Sequence, residues 1–283
     1  MTAARLFSVG VLTLVVGVVA GQGQGAAKQD RKAQEMVRVA AHTELNASAA
    51  DNTHWEYKDV DKKAGGLTTV TRVVETAHGA ISKKIEVNGH PLSAAELSRE
   101  DARINEFVRD PAQQAKQRKD GAQDDKRAED MTRMLPDAFL WSVKSDSGDT
   151  VTLAFAPNPD FEPPTMESRV FAAMAGEIVV NKAQNRIQTI KGALTEEVKF
   201  GWGLLGKMDK GGTFDVERRE LMPNVWQITE SHVHIGGHAL LFKSIGEQDD
   251  EVKSEFRRVP GETTLEQAAV MLKGDSQALS ASR

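Results

Sequence analysis

The sequence contains no cysteine, a single tyrosine and only four tryptophans. The absence of cysteine excludes disulfide bonds, thiolate metal sites and a cysteine nucleophile. It also excludes the acylated cysteine that tethers a bacterial lipoprotein to its membrane. A chain of 283 residues is long enough to bury a hydrophobic core, and without disulfides that core alone must hold the fold together.

Long apolar runs are also scarce, and the one that is present lies at the N-terminus. After a start that carries only Arg5 as a charge, residues 6–20 read LFSVGVLTLVVGVVA and end in small residues. This pattern predicts a cleaved signal peptide at residues 1–20. An uncleaved anchor is the alternative, but the run is short of the roughly 20 apolar residues that a membrane span needs. We therefore expect a periplasmic or secreted protein that is not integral to a membrane after cleavage.

Clustered basic residues are absent as well. Removal of Arg5 with the signal peptide moves the formal net charge from −5 to −6. Phosphate backbones are bound by faces on which lysine and arginine cluster. The sequence therefore predicts no nucleic-acid partner.

The stretch FGWGLLG, residues 200–206, matches the G-x-G-x-x-G expression of a dinucleotide-binding loop. Such a loop requires a helix that opens at the third glycine, because the helix N-terminus binds the pyrophosphate. Here only four residues separate Gly206 from Gly211-Gly212, and the alternating sequence TFDVERREL follows. The context predicts strand, glycine-rich loop and strand, so we expect no nucleotide cofactor.

The pattern along the chain predicts an α+β, mainly β fold with about nine or ten antiparallel strands and three helical segments. Gly236-Gly237 is interpreted as a tight hairpin turn. The predicted organisation is an N-terminal linker and helix at 21–50, one β-rich domain at 51–274 with a charged helical insertion at about 93–135, and a flexible tail at 275–283.

The histidines of SHVHIGGHALL form the one constellation with metal-binding chemistry. His232 and His234 lie two apart and face the same side of a strand, and His238 follows the glycine pair. Three histidines on one patch suit zinc or copper. The alternative is a polar, solvent-facing side of a hairpin. No catalytic triad, nucleophile elbow or acid–base pair is present in the sequence pattern, so no catalytic residue is predicted.

Residues 171–245 resemble the C-terminal half of secreted proteins of the outer-membrane lipoprotein carrier superfamily (LolA/LolB-like). The shared elements are the GEIVVNKAQNRI hairpin, the long strand that leads into FGWGLLG, the strand around Trp226 and the final GHALLFK strand. The resemblance implies a strongly curved antiparallel sheet, an unclosed half-barrel, packed on a few helices. It also implies an acyl chain held between sheet and helices.

On this basis the leading hypothesis is a non-enzymatic binding protein for a lipid or a lipoprotein acyl group. The apolar residues predicted to line the site are Phe155, Ile178, Val180, Ile190, Leu194, Val198 and Phe242 on strands, and Trp202, Leu204, Leu205 and Met208 on the glycine loop, which serves as a lid or as a structural plug. The alternatives are an envelope interaction or sensor module that uses the charged helical region to contact a protein partner, and a metal site at the three histidines.

Overall fold

The computed structural model describes residues 29–200, 206–239 and 243–281 of the chain. The predicted signal peptide and the segment up to residue 28 lie outside the described residues. Within the described part, no helix has both the length and the apolar character that a bilayer span requires.

The described residues contain five helices and thirteen strands. In chain order they are α1 (Arg31–Ala50), β1 (His54–Lys63), β2 (Thr68–Thr76), β3 (Gly79–Val87), β4 (His90–Pro91), α2 (Ala94–Arg109), α3 (Pro111–Ala138), β5 (Phe139–Ser147), β6 (Thr150–Pro157), α4 (Met166–Ala172), β7 (Met174–Asn181), β8 (Arg186–Leu194), β9 (Val198–Phe200), β10 (Gly206–Met208), β11 (Thr213–Met222), β12 (Val225–Ala239), β13 (Lys243–Val259) and α5 (Leu265–Ala281).

The sheet is open, and every pairing whose register is described is antiparallel. Its strand order is β4-β3-β2-β1-β13-β12-β11-β8-β7-β6-β5, with β10 paired to β12 and β9 to β10. The predicted α+β, mainly β class with an unclosed antiparallel sheet is therefore confirmed.

The described chain divides into two compact units. Unit 1 comprises residues 48–127 and 249–281, and unit 2 comprises residues 29–47, 128–200, 206–239 and 243–248. Residues 51–274, predicted as one domain, are divided between these two units.

Unit 1 packs α2 and α5 on the strands of the β1–β3 meander. Ser93 caps α2: its side chain accepts a hydrogen bond from the Glu96 N–H, and the Glu96 carboxylate accepts one from the Ser93 N–H. Pro111 opens α3, a position where its missing N–H costs no helical hydrogen bond. The core of unit 1 consists of Val74, Ile81, Ile104, Val259, Leu265, Ala268, Ala269 and Leu272.

Unit 2 packs α1 and α4 on one face of strands β5 to β12. Small residues of α1, namely Ala33, Val37 and Ala40, lie fully buried against large side chains from the strands. The aromatic rings of Phe139, Trp141 and Phe155 pack on one another at this face, with centroids 4.7 to 5.8 Å apart. This face of the sheet carries the apolar cluster, and the opposite face carries the charged row of Glu177, Lys191 and Asp215.

Two sequence-based boundaries are wrong. Gly236 and Gly237 lie inside β12 and form no turn. A Cβ added at Gly237 would lie 2.2 Å from the Lys207 carbonyl oxygen, so this glycine permits the close approach of β10 to β12. Helix α5 continues to Ala281, beyond the predicted end at Gly274.

Gly176 and Gly192 are paired across β7 and β8, next to Phe155 on β6. A Cβ at Gly192 would meet Phe155 Cζ at 3.2 Å, so the missing side chain makes room for the phenyl ring. At Gly176 a Cβ would lie 1.9 Å from the Lys191 carbonyl oxygen. These glycines allow β6, β7 and β8 to pack closely beneath the aromatic cluster.

Gly176→Ala is expected to destabilise the protein by about 1–3 kcal/mol or more, because the added methyl group must displace the backbone of β8. Gly261→Ala is the matched control, since a Cβ at Gly261 meets nothing within 4 Å. Chemical denaturation of both variants checks this expectation. Equal unfolding free energies for the two variants would contradict it.

Candidate functional site

Most of the predicted lining residues lie together on the apolar face of unit 2. Phe155, Ile178, Val180, Leu194 and Val198 are all 6% exposed or less. Met208 is 8% exposed, and Ile190 is half-buried and packs on the same cluster. The strand register explains this, because Ile178 pairs with Leu153 on one side and Ile190 on the other.

These residues pack into a closed core rather than standing free along a cavity. Leu135, Phe139 and Trp141 belong to the same buried cluster, together with the small residues of α1. In this structure the space between α1 and the sheet is therefore occupied by the chain's own side chains. A ligand would enter only by displacing some of them.

The remaining predicted lining residues, Trp202, Leu204, Leu205 and Phe242, lie outside the described residues. The flanks of the glycine-rich loop are described, and they pair Val198 with Met208 and Phe200 with Gly206. Gly206 opens a strand and not a helix. The strand predicted at TFDVERREL is present as β11, whereas Gly206–Met208, predicted as part of the loop, form the short strand β10. The G-x-G-x-x-G expression therefore lacks the helix N-terminus that binds a pyrophosphate.

A rim of half-buried apolar side chains borders this core. We use "apolar rim" for Met36, Phe161, Val170 and Phe171, which are packed against the core cluster and are only partly covered. Phe171 of α4 contacts Phe139, with ring centroids 4.8 Å apart. Sequence reasoning missed the rim, although an apolar residue within the proline-rich loop at 157–164 was a signal for it.

A buried ion triad fixes α1 on the sheet of unit 2. The Glu44 carboxylate of α1 accepts from Arg218 of β11 at 2.6 Å and from Arg186 of β8 at 3.0 and 3.1 Å. It also accepts from the Ile187 N–H at 2.8 Å. That N–H lies at a bulge in β8, where the register shifts opposite Val180. These residues are 142 or more positions apart from Glu44 in sequence, so no local pattern could pair them.

The two arginines also determine the titration of the triad. Burial acts to raise the pKa of Glu44, but Arg218 and Arg186 outweigh it and hold that pKa below its usual value. Arg186 further lies over the Trp226 ring, 5.9 Å from its centroid, and donates to the Asn224 carbonyl at 3.0 Å. All polar groups of Glu44 thus have partners, and the triad serves as an anchor for α1.

The opposite face of unit 2 carries the histidines and a shallow groove. The register aligns Glu177, Lys191, Asp215 and His232 in one row across β7, β8, β11 and β12. The next row is formed by small residues, Ala175, Ala193 and Thr213, and ends at His234. Because the side chains of this second row are short, they leave a groove of about 690 Å³ beside the charged row.

His232 and His234 share this face, as their spacing predicts. Among the described residues, no group of three histidine, aspartate or glutamate side chains has the geometry of a metal site. The side chain of His238 lies outside the described residues. The described residues therefore do not support a metal site at the histidines.

Comparison with protein-family models, curated proteins and solved structures found no match for this chain. The lipoprotein-carrier resemblance consequently stays a prediction from the sequence.

Glu44→Gln is expected to cost about 3–5 kcal/mol, because it leaves two buried arginines without their counter-ion. Since the folded-state pKa of Glu44 is lowered, its contribution is present above the unfolded pKa of about 4.5 and is lost as the pH falls through the folded pKa. Urea denaturation between pH 3 and pH 7 measures both effects.

Glu35→Gln is the matched control on the same helix. Glu35 is 68% exposed and pairs with Arg38 at 3.6 Å. Its removal should change the unfolding free energy by less than about 1 kcal/mol. If both variants lost the same stability, the triad would not be the anchor of α1.

Proposed function

We propose that this chain is a non-enzymatic binding protein of the bacterial periplasm that holds a lipid or lipoprotein acyl chain at the apolar face of unit 2. The acyl chain would enter at the apolar rim and lie between α1, α4 and the strands. Phe155, Ile178 and Leu194 would then line it, as the sequence analysis expects.

The observation that carries this proposal is the apolar rim. It places incompletely covered aromatic and aliphatic side chains at the border of a wholly apolar core. Apolar surface in contact with water costs about 25 cal/mol per Å², and each methylene group buried there gains about 0.8 kcal/mol. An acyl chain can cover these apolar side chains and requires no polar partner.

The side chains near the rim suit a ligand of variable shape. Met36 and Met174 are unbranched and flexible, and both contact the core. The covering elements are short: α4 has seven residues, and the preceding connection from Asn158 to Thr165 contains no regular element. Displacing them breaks few backbone hydrogen bonds, which lowers the cost of opening the core there.

Phe161→Ser is expected to weaken the binding of palmitate by about tenfold or more, because loss of a phenyl contact removes at least about 1.4 kcal/mol. Displacement of a fluorescent fatty acid from the purified protein measures this. Leu67→Ser is the matched control, since Leu67 is a 47% exposed leucine in unit 1.

Thermal unfolding of both variants without fatty acid should remain a single cooperative transition, so that a change in affinity reports on the site and not on loss of the fold. Absence of palmitate binding in the unmodified chain would refute the proposal. So would equal weakening by Phe161→Ser and Leu67→Ser.

A second candidate function is supported by α3. No side chain between residues 111 and 134 is buried, although the helix continues for 28 residues. Ion pairs such as Lys116–Asp120 and Arg133–Glu129 lie on its surface and contribute little stability. Because residues 111–134 bury no side chain, this part of α3 is suited to contact a protein partner of the envelope.

The triple variant Lys116→Ala, Lys119→Ala and Asp120→Ala tests this candidate. It should leave the unfolding free energy within about 1 kcal/mol of the original, because the side chains are exposed. Cross-linking in the bacterial envelope should then lose a discrete adduct that the unmodified chain forms. An unchanged set of adducts would exclude α3 as the contact.

A further inference from the structure

Like charges meet across β1 and β13 in unit 1. The register places Asp61 directly opposite Glu251, with Lys63 opposite Asp249 and Asp59 opposite Lys253. Because residues two apart on a strand face the same side, all six side chains lie on one face. The side chain of Asp59 contacts Glu251 at hydrogen-bond distance, and that of Asp61 contacts Asp249 in the same way.

Three carboxylate oxygens in this group are buried and have no hydrogen-bond donor. They are the Oδ1 atoms of Asp59, Asp61 and Asp249. An ionised carboxylate only accepts hydrogen bonds, so two of them in contact leave both oxygens without a donor. A buried acceptor without a donor costs about 1–3 kcal/mol. One proton on each pair converts an acceptor into a donor and removes that cost.

The neighbouring ammonium groups neutralise only part of the group. Lys63 lies 3.3 Å from Asp61 and 2.6 Å from Asp249, and Lys253 lies 3.3 Å from Glu251. On this face β1 contributes Asp59, Asp61 and Lys63, and β13 contributes Asp249, Glu251 and Lys253. On the other side of β1, β2 places the uncharged Thr69 and Thr71 opposite Asp61 and Asp59, and Glu75 lies further along. Four carboxylates therefore face two ammonium groups, with a deficit of two positive charges that two protons would supply.

The titration of the group agrees with this geometry. Burial, and then the charge of Glu251, raises the pKa of Asp59 to about 7. Burial, and then the hydrogen bond to Asp249, raises the pKa of Asp61 to about 6. The two lysines act in the opposite direction and do not cancel these effects. The group therefore binds its protons in the range of mildly acidic to neutral water.

We propose that Asp59–Glu251 and Asp61–Asp249 form a proton-operated latch between β1 and β13. Each pair shares one proton when the latch is closed. Loss of both protons places two pairs of negative charges in contact and weakens the pairing of the two strands. The pairing of β1 and β13 in unit 1 would therefore change in stability with the pH of the surrounding compartment.

The sign of the effect follows from the raised pKa values. The unfolded chain releases these protons near pH 3.8, whereas the folded chain keeps them until about pH 6 to 7. The folded state thus binds more protons across this interval, and the stability that they contribute falls as the pH rises. It is fully present below about pH 4 and is lost above about pH 7.

The test is hydrogen exchange of the β1 and β13 amides between pH 5 and pH 8, corrected for the intrinsic exchange rate. In the unmodified chain the protection of these amides should fall by about tenfold or more over this range. In the double variant Asp59→Asn, Asp61→Asn the amides should keep their protection, because the asparagine amides supply donors at every pH.

Two controls separate the latch from other titrations. Glu262→Gln removes an exposed carboxylate of unit 1 and should leave the wild-type profile unchanged. Burial raises the pKa of Glu75 to about 7 as well, and Glu75 is present in all variants. The difference between the unmodified chain and the double variant therefore isolates the two pairs. A pH-independent unmodified chain, or a double variant that loses protection equally, would overturn the latch.

Discussion

The ion triad of Glu44, Arg186 and Arg218 is the contact on which unit 2 depends. The fully buried residues that helix α1 presents to the sheet, Ala33, Val37 and Ala40, are small, and small side chains bury little area. The carboxylate of Glu44 adds a directional link to both β8 and β11, so it determines where α1 lies over the strands. With α1 fixed, the aromatic residues of β5 and β6 are covered, and the apolar rim beside α4 is left half-covered.

The two units use buried charge in different ways. In unit 2 the triad pairs one carboxylate with two guanidinium groups, and its polar atoms have partners. In unit 1, Lys83 is 1% exposed and pairs with Asp101 of α2 at 2.7 Å, which joins that helix to β3. Between β1 and β13 four carboxylates share only two lysines: Lys63 pairs with Asp61 and Asp249, and Lys253 pairs with Glu251. In the proposed latch the strand pairing there therefore depends on protons as well. The Glu44 triad thus contributes stability that rises with pH, whereas the protons proposed between β1 and β13 contribute stability that falls with pH.

The sequence predicts the local features of this fold well. Alternating apolar and polar residues at 54–60 and 80–89, and the β-branched residues of 67–76, predict the β1–β3 meander. The Ser93–Glu96 capping box predicts the start of α2. Alternate residues of a strand point to the same face. This places Ile178 and Val180 of β7 with Ile190 and Leu194 of β8 on one face. Local patterns suffice here because side-chain direction on a strand depends only on position.

Long-range features could not be predicted in this way. The partners of Glu44 are more than 140 residues away, and the opposition of Asp61 and Glu251 depends on a register set by the whole of unit 1. The glycine pair in β12 resembles a turn in sequence, but the approach of β10 requires it within a strand. Whether an apolar face stays open or is filled also depends on elements far apart in sequence, here α1 and β5.

The binding of an acyl chain to unit 2 is the central claim, and a spin-labelled fatty acid tests it most directly. A nitroxide near the end of the chain broadens the NMR signals of methyl groups that lie within reach of it. The account predicts broadening at Ile178, Val180 and Leu194 and none at Val74, Ile81 and Leu272 in the core of unit 1. Sharp signals in both cores at saturating fatty acid, or broadening confined to unit 1, would contradict it.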